Sequence, residues 1–168
     1  KSWPETAPLG PEFVLDSGPC RIGIESTVVD VTTNKTSILR PGGITREQLE
    51  NVIGPLPISD SNSSGLKSPG MLTKHYAPNT PVRLNAKGPE PSGAYISFGR
   101  EYEPSEYNLS QSSNLAEAAS KLFAMLREID ERNFSSISIA PIPHKGLGLA
   151  INDRLKRAVT PPAEYLDA

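Results

Sequence analysis

A single cysteine and two histidines are all that this 168-residue chain holds of the commonest soft metal ligands. One thiol, Cys20, excludes an intramolecular disulfide framework and suits a reducing compartment. With His75 and His144 far apart beside it, no zinc-type ligand spacing exists. Runs of lysine or arginine are missing as well. A net charge of −2 and a pI near 5.7 give no general field for nucleic acid or an anionic membrane. No apolar run approaches the length of a membrane span, and no secretory signal is visible. The chain opens Lys1-Ser2-Trp3-Pro4 without an initiator methionine, which is compatible with trimming or with a piece of something longer. A cytoplasmic protein is the expectation.

What is present fits a globular α/β protein of one ordinary domain or two small ones: 36% apolar and 21% charged residues, with 17 prolines and 13 glycines marking many turns. After a proline-rich start, Phe13-Val14-Leu15 reads as a short strand closed by Asp16-Ser17-Gly18-Pro19. The stretch Ile22–Thr32 is the strongest strand signal, rich in β-branched residues and apolar on both faces near Val28–Val31. Asn34-Lys35 can turn the chain back into Thr36–Leu39, ending at Arg40-Pro41-Gly42-Gly43. Such a hairpin sets Arg40 opposite Val29, on the order of 10 Å along the sheet from Ser26. An arginine and the hydroxyl pair Ser26 and Thr27 would then edge a small-molecule pocket. Thr45 and Gln48 form a capping box for a helix whose apolar face is Leu49, Val52 and Ile53, stopped by Gly54-Pro55. Three strands and one helix are too little to cover a strand buried on both faces, so this block is expected to belong to a larger body. Asp30 has no second carboxylate nearby in sequence and reads as structural rather than as a Mg²⁺ ligand. Cys20 reads as a small side chain near a turn.

Residues 58–79 carry the polar run Ser59–Gly65 and then Ser68–Pro78, punctuated by Pro69-Gly70 and Pro78, and read as an extended linker. Lys74-His75-Tyr76 within it offers a cation, an imidazole and a phenol in a row, more hydrogen-bonding chemistry than reach alone requires. The plainer alternative is that Met71, Leu72 and Tyr76 pin the linker while Lys74 and His75 face water.

Beyond the linker, Pro81–Leu84 and Ala94–Phe98 read as strands. Asn114 opens a long helix with Glu117 at the capping-box position, its stripe of Leu115, Ala118, Ala119, Leu122, Leu126 and Ile129 running to about Arg132. Ser135–Ala140 is a strand and Gly148–Val159 a second helix. Strand–helix–strand–helix order predicts a small Rossmann-like α/β layer with parallel pairing. His144-Lys145-Gly146-Leu147-Gly148 joins a strand to a helix and could hold an anion, but it lacks dinucleotide and P-loop spacing and is more often only a turn. Asn152, Asp153 and Arg154 are expected on a solvated helix face.

Three words in fixed order carry a family resemblance. They are Gly18–Asp30 with its Ser26-Thr27-Val28-Val29-Asp30 core, Ile38-Leu39-Arg40-Pro41-Gly42, and Ser68-Pro69-Gly70-Met71 followed by Lys74-His75-Tyr76-Ala77-Pro78. Together they resemble the back half of the two-domain threonylcarbamoyl-AMP synthases. The resemblance implies residues 1–57 as the end of a YrdC-like α/β catalytic domain, 58–79 as the interdomain linker, and 80–168 as the small C-terminal domain. It implies condensation of L-threonine, bicarbonate and ATP into threonylcarbamoyl-adenylate with release of pyrophosphate. Other proteins then pass the threonylcarbamoyl group to tRNA, with no direct tRNA binding evident here.

By the same resemblance Ser26, with Thr27 beside it, contacts L-threonine. Arg40 contacts the nucleotide, Tyr76 and His75 reach the ATP side, and Lys74 belongs to a lid formed by the linker. ATP is a substrate, Mg²⁺ enters only through the resemblance, and no residue here is assigned to a metal or as a nucleophile. The upstream half of the family's catalytic domain, with its triphosphate-gripping basic cluster, has no match, so the isolated chain is expected to be inactive. The alternatives are a non-catalytic protein-interaction module, or a nucleotide-binding regulator using the turn at Gly146–Gly148.

Overall fold

The computed structural model describes residues 13, 15, 18, 20–59, 77–101 and 105–159. Lys74, His75 and Tyr76 lie outside the described residues. In order come β1 (Val28–Asp30), β2 (Ser37–Arg40), α1 (Arg46–Ile53), β3 (Val82–Arg83), β4 (Ala94–Ser97), β5 (Tyr107–Asn108), α2 (Leu115–Asp130), β6 (Ile137–Ile139) and α3 (Leu147–Val159).

β1 and β2 form an antiparallel pair whose register slips between Val28 and Val29: Val28 faces Arg40 and Val29 faces Ile38. Leu39 is the extra residue of the bulge, which lets Ile38 and Leu39 both turn inward in succession. The bulge corrects the expected register, since Arg40 stands opposite Val28 rather than Val29. On the other side of β2, Ile38 exchanges backbone bonds with Pro57 O (2.9 Å) and Ser59 N (2.8 Å), so residues 57–59 run parallel beside this small sheet.

The strand expected over Ile22–Thr32 is regular only at Val28–Asp30. Gly23 takes φ +78°, which breaks a strand, and its Cα lies against α2, where a Cβ would come within 2.8 Å of Ala119 O. Ile24 is buried with the core of the second block and Ile22 packs against it. Phe13 and Leu15 are in no strand and are exposed. Val31 is exposed rather than covered. The Thr45–Gln48 capping box is complete, yet the apolar face of α1 is not buried: Val52 is 82% and Ile53 53% exposed.

The second block is the expected α/β layer. Its sheet has the order β3-β6-β4-β5, and every pairing is parallel. Buried on both faces, β4 and β6 read as unbroken buried runs (Ala94–Ser97, Ile137–Ile139), as parallel strands require. The stripe of α2 buries Ala118, Ala119, Leu122, Leu126 and Ile129 against the core, and α3 adds Ala150, Ile151 and Leu155. Asn114 caps α2 by accepting from the amides of Ala116 and Glu117. The reciprocal half of the expected box does not form, because the Glu117 carboxylate accepts from Ser110 Oγ (2.6 Å) and Lys121 Nζ (2.6 Å) instead. β5 lies between Phe98 and Asn114, where no strand is read from the sequence; at two residues it is too short to leave a period there.

Candidate functional site

The first block closes on itself at one tight turn. A Cβ on Gly42 would stand 2.2 Å from Ser26 O and 2.6 Å from Thr27 N, so the Arg40-Pro41-Gly42 turn lies directly on the Ser26–Thr27 backbone. Gly43 N donates to Glu25 O at 3.0 Å, extending the contact by one residue. The bulged hairpin and this turn therefore bring together the backbone of three of the sequence-predicted residues, Ser26, Thr27 and Arg40. Their roles differ in what the fold leaves free. The Thr27 hydroxyl donates to Ile44 O (2.8 Å) and accepts from Ile44 N (3.1 Å), a two-way brace. Ser26 is exposed.

Arg40 is half-buried, and its Nε is a buried donor with no hydrogen-bond partner among the described residues. An unmet buried donor on a cation costs roughly 1–3 kcal/mol or more, so it persists where something else holds it in place or a ligand completes it. Next to it comes Arg154 from α3, whose Nη2 donates to Pro41 O at 3.4 Å. Asp153 pairs with Arg154 Nη1 and takes two bonds of 3.1 Å from Arg157. Burial pushes the Arg154 guanidinium down from its ordinary value; Asp153 opposes that shift, while the charges of Arg40 and Arg157 add to it. Arg154 stands among the charges of Arg40, Arg157 and Asp153.

Arg154 and Asp153 are thus not solvated: the two side chains are 12% and 22% exposed. Asn152 is buried, its Nδ2 donating to Ile142 O and Gly148 O. The helical period of α3 already carries Leu155 and Ile151 inward. What the sequence does not reveal is that the other block covers the neighbouring face as well.

The expected anion turn is already engaged. Gly146 N donates to Glu47 Oε1 of α1 at 3.1 Å. Hydrogen bonds from its own amide and from Gly146 hold the Glu47 carboxyl below the ordinary range. Burial pushes the Glu25 carboxyl up, but bonds from Gly23, its own amide, Cys20 and Ile22 together bring it below the ordinary range. Asp30 accepts from Thr32 N (2.9 Å) and Oγ1 (2.6 Å) and closes the hairpin turn, as its structural reading predicts. Among the described residues no group of three His, Cys, Asp or Glu could hold a metal, and Cys20 is free and exposed.

The described residues on either side of 60–76 are both fastened. Ser59 pairs with β2, and Asp130 of α2 accepts from Asn79 N and Nδ2 and from Thr80 N and Oγ1, at 2.7–3.3 Å.

Comparison with known proteins decides the family: the profile described as "Threonylcarbamoyl-AMP synthase, C-terminal domain" matches residues 44–160. The chain belongs to this family. Threonylcarbamoyl-AMP synthases of Bacillus subtilis and Pyrococcus abyssi are 36% and 32% identical, over 86% and 88% of this chain and 48% and 49% of those proteins. The Schizosaccharomyces pombe enzyme is 28% identical over 88% of this chain and 45% of its own length. The chain spans about half the length of the curated relatives it matches.

Among solved structures, P. abyssi Sua5 complexed with L-threonine has a TM-score of 0.70 at 29% identity, covering 86% of this chain and 48% of that one. A P. abyssi Sua5 variant in which a histidine and the next residue, a tyrosine, are replaced by alanine has a TM-score of 0.65 at 27% identity, covering 83% and 46%. The mixed α/β fold with its parallel sheet is therefore a threonylcarbamoyl-AMP synthase fold.

Proposed function

We propose that this chain supplies one wall and the lid of a threonylcarbamoyl-AMP synthase site, in a protein whose catalytic domain needs residues beyond it. The observation that carries the reading is the Gly42 contact, which sets Ser26 beside Arg40 with its buried Nε, unpartnered among the described residues. The reaction joins the L-threonine amine to bicarbonate with loss of water. A carbamate oxygen then attacks the α-phosphorus of ATP, and pyrophosphate leaves. No protein nucleophile is needed, so the chain's part is positioning and charge. Ser26 contacts L-threonine, and Thr27 holds that contact in place through Ile44. Arg40 meets the nucleotide, where a planar guanidinium fits phosphate oxygens. Mg²⁺ would accompany ATP, held by phosphates and by residues other than those described here.

The domains run 1–57, 58–79 and 80–168. The linker acts as a lid that keeps water from the acyl-adenylate and the carbamate, both open to hydrolysis. His75 and Tyr76 reach the ATP side from it, with Lys74 beside them. Two findings support this assignment. The described residues on either side of 60–76 are held on β2 and on Asp130, so the linker joins both blocks. His75-Tyr76 is also the one His-Tyr pair in the sequence, and a relative altered at such a pair has been solved. The product would pass to tRNA threonylcarbamoyl-transfer proteins in the cytoplasm. No described helix is long and apolar enough to cross a membrane.

The exposed Val31, Ile44, Val52 and Ile53 give the rest of the catalytic domain an apolar surface to cover. The test is pyrophosphate release dependent on threonine and bicarbonate. The expected result is no turnover by this chain alone, with activity in a protein extended to its relatives' length and lost in Ser26→Ala or Arg40→Ala. Full activity of both variants would refute the assignment.

A further inference from the structure

The second block has a cavity that the synthase reading does not use. In its sheet, β4 leads through residues 98–106 to β5 on one side, whereas β6 leads through residues 140–146 to α3, which packs against β3 on the other. The two connections part where β4 and β6 lie side by side. In open parallel sheets the crevice outside the carboxyl ends of two such strands is where ligands bind.

A cavity of about 530 Å³ lies there, within the range of small-molecule sites. Phe98, Leu115, Pro141 and Pro143 give it apolar walls, and Arg100 and Lys145 stand over it from the two diverging connections. Among the described residues neither cationic side chain has a hydrogen bond or ion pair, and Glu101 is the one acid in the described lining. The backbone keeps the space open: Gly99 holds φ +79°, and a Cβ there would meet Ser113 Oγ at 2.7 Å. The Lys145–Gly146 turn already holds one carboxylate, that of Glu47.

We infer that this crevice binds a small organic anion of mononucleotide size, its anionic group between Arg100 and Lys145 and its flat body against Phe98 and Pro141. The site shares no residue with the Ser26–Arg40 wall. It stands or falls independently of the synthase reading, and its closeness to the Glu47–Gly146 contact would let occupancy be felt at the seam between the two blocks.

AMP serves as the probe, in a chain carrying Arg40→Ala so that the other proposed nucleotide contact is removed. Backbone amide resonances are followed by NMR during titration. Saturable shifts are expected at Gly99, Arg100, Lys145 and Gly146. Combining Arg100→Gln with Lys145→Gln should weaken binding about 10-fold or more, as loss of two charge-assisted contacts requires, with the remaining spectrum unchanged as evidence of an intact fold. No saturable shift at these amides, or affinity unaltered by the paired substitution, would overturn the proposal. Inorganic phosphate binding as tightly as AMP would also overturn it, because the apolar walls would then contribute nothing.

Discussion

At the scale of single residues, the proposed wall depends on Gly42 and Thr27 in different ways. Gly42 has no side chain because the backbone of Ser26 and Thr27 occupies the space one would need. Gly42→Ala must push the turn off that backbone. The expected outcome is loss of about 1–3 kcal/mol by overpacking, read in urea unfolding, together with weakened L-threonine binding in a full-length synthase carrying this chain. An unchanged midpoint and unchanged binding would show that the turn yields freely. Thr27→Val keeps the shape and removes the two-way bond to Ile44. It should destabilise by roughly 1 kcal/mol per lost bond while leaving the Ser26 hydroxyl in place.

At the scale of elements, the anchoring of Asn79 and Thr80 on Asp130 of α2 gives a pH prediction. Burial raises the Asp130 carboxyl, but the bonds from Thr80 and Asn79 outweigh it and hold the group below its ordinary value. A depressed folded value means the anchor's stability is fully present well above the unfolded value of about 3.9. It is lost as pH falls through the lower, folded one. Asp130→Asn should remove that acid-side dependence and cost about 2 kcal/mol near neutrality, seen as a lower Tm. An unchanged acid limb in the variant would contradict the anchor.

The long, strongly periodic elements were legible in the sequence: α2 from its five-residue buried stripe, α1 from its capping box, and β4 and β6 from their apolar runs. Local periodicity does not report packing partners. Ile22–Ile24 has strand composition but leaves the sheet at Gly23 to lie on α2, and Leu39 inserts a bulge that moves Arg40 by one register step. At the site, Ser26 and Arg40 were legible as a hydroxyl and a guanidinium near one hairpin; Arg40 stands opposite Val28, and Ser26 just before β1. Arg154 was not, because its contact with Pro41 spans 113 positions.

At the scale of the whole molecule, the two blocks meet through a few specific contacts: Ile22–Ile24 on α2, Glu47 on the turn before α3, and Arg154 on Pro41. Arg154→Ala should loosen this seam and leave the Asp153–Arg157 pair intact. The expected readout is faster hydrogen exchange in residues 40–44 with little change in β4 and β6; equal protection throughout would mean the contact is incidental. The central claim, that the Ser26–Arg40 wall is half of a nucleotide site, is tested most directly by the affinity of a full-length synthase carrying this chain for a non-hydrolysable ATP analogue. Arg40→Ala should weaken binding about 10-fold or more, and Arg40→Lys should recover part of the loss, since a lysine restores charge without the planar fork. Affinity in Arg40→Ala equal to that of the parent protein would contradict the account.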